Sequence, residues 1–410
     1  MKHLSGLKLT LLSVLAVFVV SGGGLATVTA WQDTLTVGDA TITSGDGWGG
    51  HKFTQIAAER HITYAIDTTG QAWGWGNNYS GYLGVGLADK KILVPQKIVG
   101  EHKFKQIFTR GALAFAIDKN DGAWAWGNNY FAQLGDGTTT NRNTPVKVAD
   151  GHKFTQISIG AYHVVAIDTD GQAWAWGANG YGRLGNGKAN GRELTPIKVA
   201  DGHKFTQVTA GAGWTLAIDT DGDAWAWGNN ETGQLGDGTT TDRHTPVKVS
   251  GGHKFKQIST AGDFAAYGPV VAIDTDGDAW AWGDNYGDKL GIGTPNGATP
   301  IPHKVKGGHE FKQISASYGH TVALDTNGDA WAWGSNDAGE IGIGYDSGYR
   351  NDTPNKVRGG HKFVQIVAAD QYTVALDVTG QAWAWGDNQA GQLGDGTTTS
   401  RREPVKVLAQ

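Results

Sequence analysis

Apolar and small residues alternate through Ile218-Asp-Thr-Asp-Gly-Asp-Ala-Trp-Ala-Trp-Gly228, and this pattern recurs, with small changes, seven times along the chain. The Trp-x-Trp-Gly cores are Trp73–Gly76, Trp124–Gly127, Trp174–Gly177, Trp225–Gly228, Trp280–Gly283, Trp331–Gly334 and Trp383–Gly386, so fourteen of the 17 tryptophans serve one motif. In an extended strand, residues i and i+2 share a face. Each Trp pair therefore lies on one face, with Ala or Gly on the other. Such a sheet cannot bury its bulky face alone, and it packs closely against an identical neighbour. The Asp-Thr-Asp-Gly before it carries the chemistry of a hairpin turn, with Gly free to take positive φ. No segment carries an apolar stripe of helical period, so almost no helix is expected.

A second pattern, His-Lys-Phe-x-Gln-Ile, starts at His51, His102, His152, His203, His253, His309 (there with Glu for Lys) and His361. Intervals of 50 to 56 residues match long propeller repeats and not helical solenoids. In the fourth copy the spacing predicts strand B at Phe205–Val208, strand C at Leu216–Ile218 with a little before it, strand D at Ala224–Gly228 and strand A at Val247–Val249. Four antiparallel strands repeated seven times describe an all-β, seven-bladed propeller. The array opens on a strand B and ends on Pro404-Val-Lys-Val407, a strand A. The expectation is therefore a ring closed by the C-terminal strand, with Val405–Val407 beside Phe53–Ile56. Leu35–Thr43, in the extension at 31–50, competes for that position.

Composition narrows the possible functions. A formal net charge of −5 leaves no basic footprint for nucleic acid, and zero Cys excludes disulfides, thiolate catalysis and Cys-ligated zinc. Residues 1–30 have the form of a secretory signal: Lys2 and Lys8, the apolar run Leu9–Val20, and Val28-Thr29-Ala30 as the cleavage site, with Ala26 as a second cut. The apolar core is about 12 residues, short for a membrane span. The expected product is a mature, monomeric protein starting near Trp31, secreted or periplasmic and free of the membrane. The propeller then occupies 51–410.

Gly-x-x-x-Trp-x-Trp-Gly, the Gly-Gln-Leu-Gly at Gly233–Gly236 and Gly391–Gly394, a following Thr-Pro-Val strand and Gly319-His-Thr-Val-Ala-Leu324 resemble the regulator of chromosome condensation repeat family. The resemblance covers 51–407 and implies a seven-bladed propeller. It also implies nucleotide exchange on a small GTPase, the activity of eukaryotic members. A signal segment and the lack of a basic tail argue against that activity here.

Strand parity places the B–C and D–A loops on one face and the A–B and C–D loops on the other. The second face is monotonous. Asp219, Asp221 and Asp223 have the alternating oxygens that open a calcium loop, but no Glu follows and two copies lack the middle acid, so a plain hairpin turn is expected there. The seven His are expected at blade edges, hydrogen-bonded to their turns. The first face varies. Four residues before the last apolar residue of strand C stand Ile62, Leu113, His163, Trp214, Pro269, His320 and Tyr372. Copy five adds an insertion with Asp263, Phe264 and Tyr267, and its neighbour carries Tyr318. The D–A loops hold Tyr130, Phe131, Tyr181, Arg183, Tyr286, Lys289 and Tyr345, and a B–C loop holds Tyr162. Tyr, Trp, Arg and His are enriched at binding hot spots. No catalytic constellation, metal set or cofactor motif stands out. The expectation is a non-catalytic binding face for a protein, centred on Trp214, Phe264, Tyr267 and Tyr318 with Asp263 and His320, and with His163 and Tyr372 beyond. A carbohydrate ligand is the alternative, and an enzyme acting on extracellular polysaccharide a weaker third.

Overall fold

A computed structural model of the chain describes residues 18–20, 24–26, 34–35, 53–59, 62–67, 69–78, 81–86, 91–200, 202–261, 267–294, 297–345, 351–378, 382–389, 393, 395 and 397–406. Seven four-stranded antiparallel blades form a propeller. Helix is confined, among the described residues, to two three-residue 3-10 turns at Ala149–Gly151 and Gly180–Gly182. In the fourth copy strand B is Phe205–Ala210, C is Trp214–Asp219, D is Ala224–Gly228 and A is Arg243–Lys248.

The order within each sheet is B-C-D-A, so every blade is one contiguous stretch of chain. This corrects the expected closure. The last strand, Arg401–Lys406, pairs with Ala382–Gly386 of its own copy, Val405 opposite Ala384, and not with Phe53–Ile56. Pairing across a local loop costs far less closure entropy than pairing across the whole chain. The free edge of the first strand B instead meets Thr34 and Leu35, opposite Ala57 and Ile56. Residues 36–43 and Val407 lie outside the described residues. Within the signal-like segment, Phe18–Val20 pairs with Gly24–Ala26.

The Trp pair divides its labour. The second members, Trp126, Trp176, Trp227, Trp282, Trp333 and Trp385, are fully buried, each wedged into the preceding blade. Trp282, for instance, lies among Leu216, Ile218, Leu235 and Val249 of copy four and Phe255 and Ile258 of copy five. Its Nε1 donates to Gln234 O at 3.0 Å. The glycine of Leu235-Gly236 makes room: at φ 68 it leaves a gap, and a Cβ there would stand 2.7 Å from Trp282 Nε1. The first members from Trp124 to Trp383 are only partly buried (Trp73 of the first copy is buried), so Trp227 and not Trp225 is the inner residue of its pair.

The inner strands are laced by glutamine. Gln207 Nε2 donates to Ile258 O at 3.0 Å, and Ile258 N donates back to Gln207 Oε1 at 3.0 Å. The same reciprocal pair joins Gln55 to Ile107, Gln257 to Ile314 and Gln313 to Ile366. The joint of copies two and three differs. There buried Phe108 stands where copies three and five have Ser158 and Ser259, Gln106 Oε1 has no partner, and Arg110 Nη1 reaches Ile159 O at 2.9 Å instead.

Candidate functional site

On the A–B/C–D face one device repeats. The carboxylate ending strand C accepts the Nε1–H of the first tryptophan: Asp219 Oδ2 takes Trp225 at 2.8 Å, while Oδ1 takes the N–H groups of Asp221 and Asp223. Asp67, Asp118, Asp168, Asp274, Asp325 and Asp377 hold Trp73, Trp124, Trp174, Trp280, Trp331 and Trp383 in the same way, at 2.8 to 3.1 Å. These carboxylates serve as acceptors for turn and tryptophan. Among the described residues no group of three or more His, Asp or Glu is arranged to hold a metal ion. Six of the seven histidines, from His102 to His361, lie tilted over the same tryptophans, with ring centroids 3.6 to 3.9 Å apart.

On the B–C/D–A face the expected patch is rearranged. Leu113, His163, Trp214, Pro269, His320 and Tyr372 are buried, because each begins strand C and does not sit in the loop before it. Trp214 pairs with Gly228, whose φ of 104 suits glycine, since a Cβ there would stand 2.7 Å from Trp214 Cα. The indole enters the joint with copy five and donates from Nε1 to Thr260 Oγ1 at 3.0 Å. Gly268, after the insertion, lies against it, so this end of the insertion covers the ring. His163 Nε2 and His320 Nε2 meet Thr215 and Thr373 hydroxyls, each at 2.9 Å. Those hydroxyls spend their protons on Arg183 O and Glu340 O, so each imidazole donates from Nε2. Burial pushes His320 down to about 3, and burial with nearby Arg183 and Arg110 holds His163 well below the usual histidine range. Trp214, His163 and His320 are joint residues and Tyr372 is buried within its own blade, so none is an exposed anchor. Tyr267 and Tyr318 are exposed as expected, and Asp263 and Phe264 lie outside the described residues.

What the face presents is tyrosine. Tyr130, Tyr181, Tyr267, Tyr286, Tyr318 and Tyr345 are exposed, from 41% for Tyr267 to 73% for Tyr286, and all six sit in B–C or D–A loops. One group is continuous across blades. Tyr130 meets Phe131 edge-on at 4.9 Å, Phe131 meets Tyr162 at 4.9 Å, and the Arg183 guanidinium lies 5.6 Å from the rings of both Tyr162 and Tyr181. Asn179 fixes this D–A loop, its Oδ1 accepting from Leu184 N and its Nδ2 donating to Lys188 O.

Sequence reasoning named Arg183 and Lys289 among the loop residues but not the position they share. The residue before Leu-Gly (Ile341-Gly342 in copy six) in the D–A loop is Gln133, Arg183, Gln234, Lys289 and Glu340 in copies two to six, buried in every one. Arg183 Nη1 donates to Ala212 O at 3.1 Å and Lys289 Nζ to Tyr318 O at 3.1 Å, tying each loop to the next blade. A changing charge at a fixed place beside Leu-Gly was the available signal. A polar cleft on the same face, at the joint of copies six and seven, is lined by Asp337, Asp387, Arg401, Arg402 and Glu403, with no aromatic side chain.

Comparison with known proteins agrees with this architecture. Residues 43–267 match the model of an RCC1-like domain, and 276–324, 327–376 and 379–409 match the regulator of chromosome condensation (RCC1) repeat. The ultraviolet-B receptor UVR8 of Arabidopsis thaliana is 29% identical over 366 residues, covering 88% of this chain and 71% of that protein. The human E3 ubiquitin-protein ligase HERC2 is 28% identical over 362 residues, 86% of this chain but only 6% of its own length. Among solved structures, human WBSCR16 superposes with a TM-score of 0.69 at 20% identity, covering 82% of this chain and 94% of the other. Prp20p of Saccharomyces cerevisiae gives 0.68 at 23%, covering 86% and 87%.

Proposed function

The chain belongs to the regulator of chromosome condensation repeat family, and from that footing we propose that it is an exported, non-catalytic binding protein whose B–C/D–A face engages a protein partner. The observation that carries this reading is the placement on that one face of all six exposed tyrosines among the described residues. Tyrosine offers large, rigid contact area at low conformational cost, and a few such residues supply most interface energy. The ring group from Tyr130 to Tyr181 crosses from one blade to the next, which suits a protein footprint better than one small pocket per blade. Export rests on the form of residues 1–30.

Immobilised mature protein, exposed to culture medium, tests the reading beside a glycan array. We expect proteins retained by the wild type to be lost with the Tyr130→Ala, Tyr181→Ala double variant and kept with Asp170→Ala on the opposite face. Glycan capture alone, or loss with Asp170→Ala only, would reverse the conclusion. N-terminal sequencing of material from the medium is expected to start near Trp31.

A further inference from the structure

The D–A loops can be compared at two positions at once: the buried residue before Leu-Gly, and the residue five places earlier. In copy five these are Lys289 and Asp284. Lys289, 1% exposed at its side chain, has its charge met by Asp284 Oδ2 at 2.6 Å. In copy six Ser335 Oγ donates to Glu340 Oε1 at 2.8 Å, and in copy four Gln234 donates to Asn229. The earlier position thus supplies the later one with a partner of matching chemistry. In copy three the pair is Arg183 and Ala178. Arg183 is 6% exposed, its Nε donates to Gly180 O at 2.8 Å and its Nη1 to Ala212 O, and no carboxylate pairs with it among the described residues. Nη2 lies close against Gly180, where a Cβ would stand 3.0 Å away, so this loop admits the guanidinium only because the residue there is glycine.

A cation this far from water is costly without a counter-charge. The loop nevertheless holds it in place. Tyr162 and Tyr181 flank the guanidinium, and Tyr181 takes φ 63, a left-handed conformation filled by Gly287 in copy five. A bulky residue in that region stores strain of about 1–3 kcal/mol, and such strain gathers at ligand sites. Buried His163, whose neighbours include Arg183, is held neutral and offers no counter-charge.

We propose that Arg183 is the anchor for an Asp or Glu side chain of the protein partner, whose carboxylate takes the position left by Ala178 and is clasped between Tyr162 and Tyr181. This deepens the binding reading above and rests on it. Arginine with a carboxylate forms the strong, charge-assisted pair that a protein interface uses for register.

The test is an array of short, C-terminally amidated peptides, read with wild type, Arg183→Gln, Ala178→Asp and the Tyr130→Ala, Tyr181→Ala double variant, beside an array of uronate-containing glycans. Gln occupies the Arg183 position in copies two and four, so Arg183→Gln is expected to fold with little change in Tm. The wild type should retain peptides that lose about tenfold or more in binding when one Asp or Glu is amidated, and Arg183→Gln should lose the same peptides by a similar factor. Ala178→Asp should do so too, while raising Tm by supplying the internal carboxylate that copy five has. Retention indifferent to peptide Asp and Glu, Arg183→Gln binding like wild type, or capture of uronate glycans alone would each overturn the anchor. If only the tyrosine variant loses peptides, the face stands and the anchor falls. If no variant changes retention, both fall.

Discussion

The two faces of this propeller use repetition in opposite ways. On one, a single carboxylate does the same work at every turn, from Asp67 to Asp377, and each copy is interchangeable with the next. On the other, the first residue of strand C and the residue before Leu-Gly or Ile-Gly change identity across copies two to six while remaining buried. Variation among copies is therefore not the same as exposure. A position can vary because the joint it fills varies, and the exposed aromatic surface comes from the tyrosines beyond it.

Substitutions sharpen that contrast, and the largest effect is expected from Trp214. Trp214→Ala should cost about 3–5 kcal/mol in denaturant unfolding, as much as Trp227→Ala, because both indoles are fully buried in joints. A loss below about 1 kcal/mol would return Trp214 to the surface patch. The buried histidines come next. His320 in the unfolded chain takes its proton near pH 6.5, whereas the folded state resists it down to about 3. The unfolded state then binds more protons, so stability should fall as pH drops from 6.5 toward 3, by up to about 1.4 kcal/mol per unit. His320→Gln should flatten that slope, and a slope unchanged in the His163→Gln, His320→Gln pair would show that neither is held neutral.

The opposite face titrates lower. Burial favours the protonated form of Asp118, but hydrogen bonds from Trp124, Gly122 and Asn120 outweigh it and hold the group below its usual value. Its contribution is present above the unfolded value of 3.8 and is lost as pH falls through the folded one. On the B–C/D–A face, Asp395 of a D–A loop is brought down to about 2 by Thr397 and Arg401 against the effect of burial, and follows the same rule. Asp118→Asn should cost about 1–3 kcal/mol at pH 7, since its amide would face the Trp124 N–H donor to donor, and the deficit should shrink below pH 4. A deficit constant with pH would mean the carboxylate charge is not what the turn uses. The smallest effects belong to the exposed tyrosines: Tyr130→Ala and Tyr181→Ala are expected to leave unfolding within about 0.5 kcal/mol of wild type.

The fold was legible because its signals are local and repeated. Strand D, Ala224–Gly228, is read from alternation alone and found at those bounds. Strand A was read too short and too late, since Arg243 to Thr245 carry no apolar alternation and pair only through the irregularity between Ala226 and Gly228. Strand C starts two residues before Leu216, and that shift moved Trp214 and His320 from loop to core. The side of the ring was legible from parity. The group within it was not, because Arg183 and Tyr162 come together only when one blade's D–A loop meets the B–C loop beside it.

Contiguity of each blade bears on how such a chain changes over generations. In each laced joint the glutamine amide uses one N–H and its oxygen against a peptide group, so these joints present the same plug and socket to the copy that stands beside them. No strand is borrowed across the ring. Duplication or loss of one repeat in the gene therefore adds or removes a complete blade and leaves no orphan edge within the array. Inheritance and folding share one unit here, and a loop such as the one bearing Arg183 can diverge in a single copy while its six siblings keep the ring intact.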